Sequence, residues 1–362
     1  MKPRGKSSDS SDVKRQTCSR PPSRPSNASR TRYVTSDTLH AQPADGNQPL
    51  PLVTARIAQD KKLLSALAAN EDGADLEALA QESQLNGGVV ESTMEYLCTQ
   101  NMAKLSETGH YRATKLTHFL LAPLVTDAVT HFHDNVLPAL NSLNAVLSAP
   151  EKNVTAFQQG HRTSDDFYTW METHPVQQGA FFRFMEAQFA SLPTWLDVVE
   201  FQSEFAQDTT SKFPDLTGRV NLQDRPDVLA KALEVESLER MRYDFMTEQP
   251  VHGARAYYFR QIMHNHDDDT CVAILRAQLP AMSAHSVIII DEKVLPDRQS
   301  PATGPPNEYT AGLNLAMKAM FNAQERREAH WRQLLDRAGL VIRDIKKFTE
   351  FNDAVIIAAK VT

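Results

Sequence analysis

The sequence predicts an α/β protein with a helical N-terminal half and a doubly wound sheet beginning near residue 208. From Thr54 to about Phe205, apolar residues recur at helical offsets. From Arg219 onward, short β-rich runs such as "RVNLQD", "SVIIIDEKVL" and "AVIIAAKV" alternate with helical stretches. With 362 residues, 41% of them hydrophobic and 23% charged, the chain has enough apolar material for two cores.

Composition also excludes classes. No run reaches the roughly 18–20 apolar residues that span a bilayer, and Met1 to Arg20 holds no apolar block of the signal-peptide kind. A soluble, cytoplasmic protein without a membrane partner is expected. A net charge of −7 argues against a nucleic-acid partner, which calls for a concentrated basic face. Cys18, Cys98 and Cys271 are odd in number and widely spaced, so neither a disulfide framework nor a zinc site is indicated.

Four segments follow along the chain. Residues 1–50, rich in Ser, Arg, Pro and Asn, lack the large apolar side chains needed to offset the entropy of ordering and predict a disordered tail. Residues 51–125 read as a winged-helix-like unit: one helix over "ARIAQDKKLLSALAA" with Ile57, Leu63, Leu64 and Leu67 on its face, two more over "DLEALAQESQL" and "GVVESTMEYLCTQNM", then a hairpin turning at Thr108-Gly109. The third helix carries Glu91 and Glu95 and no Lys or Arg before Lys104, which favours dimerisation over DNA binding. Residues 126–207 read as long helices dense in aromatic residues, a pattern of core packing that also suits a pocket for a flat apolar ring; Phe157, Trp170, Phe181 and Met185 are its candidate lining. Residues 208–362 alternate strand and helix, with a Pro-rich loop after Asp297 feeding a helix that bears Met317 and Met320.

Several local segments bring a family into view. "AYYFRQIMHNHDDDTCVAIL" places His264 at a strand end before an acidic helix start, and "VIIIDEKVLPD" and "FNAQERREAHW" offer Glu292 and Glu325. "GRVNLQDRPDV" offers Asp224, "RYDFM" offers Asp244 and Phe245, and Arg260 stands four residues before His264. From about Thr54 to Val361 the chain resembles fungal members of the plant-type small-molecule O-methyltransferases, which use S-adenosylmethionine as co-substrate. The resemblance implies His264 as catalytic base with Glu292 and Glu325 beside it. It implies cofactor contacts at Asp224, Asp244, Phe245 and Arg260, an aromatic small-molecule substrate and a homodimer. It also implies the fold: a dimerisation domain, a helical linker and a Rossmann-like methyltransferase domain. Asn265 and His266 depart from the Asp and Trp usual in plant relatives.

The chemistry asks for these residue types. A phenol of pKa near 10 attacks poorly at neutral pH, while an imidazole near 6.5 accepts its proton as the oxygen attacks a sulfonium methyl. Glu292 is expected to hold the imidazole tautomer, with Glu325 alongside. No metal is required. Asp267, Asp268 and Asp269 suit a helix N-terminus better than a metal site with His264 and His266. Ordinary readings remain open for others: Asp224 as a turn former, and Asp244 and His264 as strand-end residues.

One piece is missing. A dinucleotide-type site begins with a strand running into a Gly-x-Gly turn, where backbone approaches ligand because no Cβ intervenes. None of the 13 glycines forms a Gly-x-Gly, and only Ala206 to Lys212 separate "VEFQSEF" from "FPDL", where strand, turn and helix need about 20 residues. The first strand and helix of the methyltransferase domain are therefore expected to be lacking, through a missing coding segment or a real loss. Three functions stay open: S-adenosylmethionine-dependent O-methylation, cofactor-independent dehydration or pericyclic chemistry on the same scaffold, and a non-catalytic dimer partner.

Overall fold

A computed structural model of the chain describes residues 49–149, 154–190, 193–200, 220–232, 234–235, 238–297 and 307–361. The expected tail lies outside these residues except for Pro49 and Leu50, which begin the first helix. The Pro-rich stretch 298–306 also lies outside them.

The N-terminal unit contains α1 (Leu50–Asp60), α2 (Leu63–Ala69), α3 (Leu76–Ser83) and α4 (Gly87–Thr99), then strands β1 (Lys104–Leu105) and β2 (Tyr111–Arg112), and α5 (Lys115–Leu120). The single helix expected over "ARIAQDKKLLSALAA" is two helices. Lys62 takes a left-handed conformation at φ 59°, so Leu63, Leu64 and Leu67 can turn into the core independently of Ala55 and Ala58. Asp75 caps α3 by accepting from Ala78 N at 2.8 Å, and Asn86 caps α4 by accepting from Gly88 N at 2.9 Å. The hairpin turns where expected: Gly109 sits at φ +80°, and Lys104 pairs Arg112 in the antiparallel register.

The middle of the chain is helical: α6 (Pro123–Thr130), a π-helical turn over His131–Val136, α7 (Leu137–Leu147), α8 (Ala156–His161), α9 (Phe167–Glu172) and α10 (Pro175–Ala190). Gly160 lets α8 lie directly on α7, since a Cβ there would fall 2.3 Å from Pro138 O. Phe157, Phe167, Trp170, Met317 and Met320 pack together in one buried cluster across these helices and the helix Glu308–Phe321.

The C-terminal sheet exists in two pieces. β3 (Val220–Asp224) and β4 (Leu238–Arg242) pair in parallel as a ribbon. The main sheet runs β5 (Ala256–Arg260), β6 (Val287–Leu295), β9 (Asp353–Lys360), β8 (Leu340–Lys347), with the short β7 (Arg326–Arg327) added to the end of β6. β5 and β6 are parallel, while β9 is antiparallel to both of its neighbours. "VIIIDEKV" is buried at every position, as a central strand covered on both faces requires. β3 is only half-buried throughout and β4 is mostly exposed. Among the described residues no strand pairs with the second edge of β3 or of β5, and nothing joins ribbon to sheet by a ladder. The ribbon is tied down by side chains instead: Gln223 and Gln249 exchange bonds of 2.8 and 2.9 Å, and Gln249 donates to Gln278 at 3.1 Å. Gln278 in turn donates to Tyr243 OH at 3.2 Å.

Candidate active site

The site gathers at the carboxyl ends of the parallel strands, where open α/β sheets place their ligands. His264 lies on a 3₁₀ turn, Met263–Asn265, that leaves β5; Glu292 lies on β6, and Glu325 immediately precedes β7. All three are buried.

His264 Nδ1 hydrogen-bonds Glu325 Oε1 at 2.9 Å. A carboxylate there accepts a hydrogen bond from Nδ1–H, which leaves Nε2 as the unprotonated base; among the described residues Nε2 has no partner. The expectation for Glu292 needs correction. Its Oε2 is 3.9 Å from Nδ1, while its Oε1 accepts from the backbone N–H of Met263 at 2.7 Å and of His264 at 3.4 Å. Glu325 fixes the tautomer and Glu292 fixes the turn. The reason lies in the strand: Glu292 sits beneath the turn and meets its backbone first.

Electrostatics bind the three together. Burial pulls the His264 pKa down, but Glu292 and Glu325 outweigh it, so the imidazole is more basic than usual. Burial lifts Glu292 to about 7; the charge of Glu325 adds to this and His264 opposes it. Oε2 of each glutamate is buried without a hydrogen-bond partner. The donor atoms of the three residues lie within 4.8 Å of one another, the one group of this kind among the described residues.

Sequence reasoning missed the residue that holds the turn. Arg326 is 1% exposed; it donates to Asp268 Oδ1 at 3.0 Å, Met263 O at 2.8 Å and His266 O at 2.7 Å. It thus braces the backbone on both sides of His264. In "QERREAHW" an arginine beside a glutamate reads as a solvated helix start, so no sequence signal marked its burial. Two further contacts were missed: Asn265 donates to Tyr168 OH at 3.1 Å, and Glu325 N donates to Asn314 Oδ1 at 2.8 Å. The three aspartates behave as a helix start. Asp267 caps the helix Asp268–Gln278 at Thr270 N, Asp268 pairs with Arg326 and His330, and Asp269 pairs with Arg337.

The other expected residues are placed unevenly. Asp224 and Asp244 end β3 and follow β4, each accepting only from nearby backbone, Arg225 N at 2.7 Å and Met246 N at 3.0 Å. Phe245 packs against the main core and meets His266 edge-on at 5.8 Å. Arg260 Nε is 3.4 Å from Asp291 Oδ2, which also accepts from Tyr258 OH at 2.6 Å. Of the expected lining, Phe157, Trp170, Met317 and Met320 are buried in the helical cluster, because α7, α8 and the helix Glu308–Phe321 close over them. Phe181 and Met185 are half-buried, and Phe181 lies 5.1 Å from the Phe167 ring and 6.3 Å from that of Tyr168.

These features define an α/β fold with an acid–base group at the strand ends. The sequence model of the O-methyltransferase domain family matches residues 165–341. It is 27% identical over 321 residues to O-methyltransferase ucdC of Aspergillus ustus, covering 82% of this chain and 83% of that protein. It is 25% identical to O-methyltransferase lepI of Aspergillus flavus over 329 residues, covering 82% and 83% of the two. In fold it is similar to LepI in complex with SAM (TM-score 0.75, 24% identity, covering 87% of each chain). It is also similar to OxaC in complex with SAH and oxaline (TM-score 0.74, 20% identity, 88% and 86% covered).

Two outcomes are expected. Arg326→Ala leaves two backbone carbonyls and Asp268 unpaired in a buried setting, and should lower the unfolding free energy by about 3–5 kcal/mol in urea titration; an unchanged midpoint contradicts the brace. Both His264 and Glu292 have raised pKa values in the folded state, so their contribution is full below the unfolded pKa values and is lost as pH rises. For Glu292 that window runs from about 4.5 to about 7. Glu292→Gln should therefore flatten the fall in Tm from pH 5 to pH 8, and an unaltered slope rules the linkage out.

Proposed function

We propose that the protein belongs functionally with the O-methyltransferases: it moves a methyl group from S-adenosylmethionine to a hydroxyl of an aromatic or polyketide secondary metabolite. The observation that carries this is His264 with Nδ1 on Glu325 and Nε2 open, on a turn braced by Arg326 and Glu292. S-adenosylmethionine, when bound, supplies a sulfonium methyl. His264 Nε2 takes the hydroxyl proton, and Glu325 stabilises the resulting imidazolium. The buried carboxylates raise the basicity of the ring, which favours proton capture. Alignment of the hydroxyl by the surrounding side chains supplies most of the remaining acceleration.

The fit to the co-substrate is divided. Asp224 and Asp244 stand at neighbouring strand ends with carboxylate oxygens that accept local backbone bonds, so they suit the hydroxyls and amine of a nucleoside, with Phe245 next to Asp244 in the chain. The amino-acid end has no counterpart: the sequence lacks a Gly-x-Gly turn, and β3 and β5 are not joined by a strand among the described residues. We therefore read this chain as holding the acid–base half of a methyltransferase with a weakened grip on its co-substrate. A second reading, cofactor-independent dehydration or pericyclic chemistry, is favoured by one observation: the His264 group is assembled without any contribution from β3 or β4. We also read 51–125 as a winged-helix-like dimerisation domain, 126–207 as the substrate-pocket segment and 208–362 as the truncated Rossmann-like domain, in a cytoplasmic homodimer. Among the described residues no helix is long and apolar enough to cross a membrane.

The test inserts a designed strand, Gly-x-Gly turn and helix start between Gln207 and Asp208. The repaired chain should bind S-adenosylmethionine at least roughly tenfold more tightly than the parent in calorimetry. His264→Gln in the repaired chain should then cut methyl transfer to phenolic acceptors by about 10²–10⁴ with little change in that affinity. A parent that binds as tightly as the repaired chain, or methyl transfer indifferent to His264, contradicts the reading.

A further inference from the structure

We propose that Asn314 is a positioning residue for the acid–base group: it holds the backbone N–H of Glu325 and so sets where the Glu325 carboxylate meets His264. The helix Glu308–Phe321 thereby becomes part of that group. This rests on the reading that His264 is the base.

Glu325 sits in a stretch without regular structure. It follows the helix Glu308–Phe321 and precedes β7, whose pairing with β6 begins at Arg326. Its N–H goes to a side chain: Asn314 Oδ1, eleven residues earlier, accepts it at 2.8 Å. At the other end of the residue, Oε1 meets His264 Nδ1 at 2.9 Å and Oε2 is buried without a partner. The carboxylate is thus held by the imidazole alone, and the backbone bond decides the direction from which it arrives.

The helix end explains how the two residues meet. Asn322 stops the helix in a left-handed conformation at φ 55°, with its N–H on Lys318 O at 3.1 Å. Ala323 N–H then returns to Met317 O at 3.3 Å, so the chain folds back toward the helix. About 10 Å of helix rise separates Phe321 from Asn314, and the steps from Phe321 to Glu325 extend at most about 14 Å. The connection has little slack. The helix itself is fixed: Thr310 Oγ1 donates to Phe351 O at 3.0 Å, Gln188 donates to Tyr309 OH at 2.6 Å, and Ala316, Met317, Ala319 and Met320 are buried in the aromatic cluster. An amide oxygen suits the place, because it accepts the N–H without adding a third carboxylate beside Glu292 and Glu325.

The test uses the full chain with no co-substrate, so its outcome is separate from methyl transfer and from whether His264 acts in it. Glu292, Glu325 and Arg326, the charged groups that act on the ring, are kept in every variant. In the parent, the Glu325 amide should exchange with solvent on the order of 100-fold more slowly than an unprotected amide. Asn314→Leu, close in size but without an acceptor, should speed that exchange at least roughly tenfold and make His264 titrate lower than the parent by NMR. Asn314→Asp keeps an acceptor, so it should retain the protection and titrate no lower than the parent. A side chain that only fills space would lower Tm when replaced and leave both readouts in place. An unprotected Glu325 amide in the parent, which needs no variant to measure, overturns the proposal. So does an Asn314→Leu titration at or above the parent's, or an Asp variant that behaves as the Leu variant does.

Discussion

The bond from His264 Nδ1 to Glu325 depends on a backbone turn that belongs to neither strand nor helix, and the Arg326 guanidinium supplies what regular structure does not. A planar fork with five donors can reach Met263 O, His266 O and Asp268 at once, which a lysine cannot. Glu292 holds the same turn from below through the Met263 N–H. Buried charge is costly unless paired, and here guanidinium, aspartate, two glutamates and imidazole lie within one network. The site is thus part of the core of the domain: Trp331, beside the Arg326 guanidinium at 5.5 Å, is 1% exposed and donates to Lys293 O on β6.

Much of this was legible in the sequence, for physical reasons that can be named. The run "SVIIIDEKVL" was read as a strand and forms β6, and His264, Glu292 and Glu325 could be named because the segments around them resemble those of a known family. What failed was anything set by long-range geometry. Which glutamate meets the ring depends on where the strand passes beneath the turn. Arg326 was not singled out because a local charge run says nothing about what lies above it. Phe157, Trp170, Met317 and Met320, named as candidate lining in a pattern that also reads as core, lie in one buried helical cluster. The break at Lys62 was also hidden, since Leu63, Leu64 and Leu67 keep helical spacing across it.

The absent glycine turn and the two-piece sheet describe one condition from two directions. β3 is half-buried and β6 fully buried, and among the described residues no ladder joins their two sheets. Unpaired strand edges invite pairing with other chains, so the Gln223, Gln249 and Gln278 bonds carry a load that a ladder would otherwise share. The His264 group draws on β5, β6 and the Glu325–Arg326 segment, with no contribution from β3 or β4 among the described residues.

The most direct measurement is the imidazole titration of His264 by NMR, in the parent and in Glu325→Gln, with no co-substrate present. If the Glu325 carboxylate adds to the basicity of the ring, the parent titrates above the ordinary 6.5 and the variant lower than the parent. Identical titrations, or a parent at or below the ordinary value, contradict the pairing on which the account of the site rests.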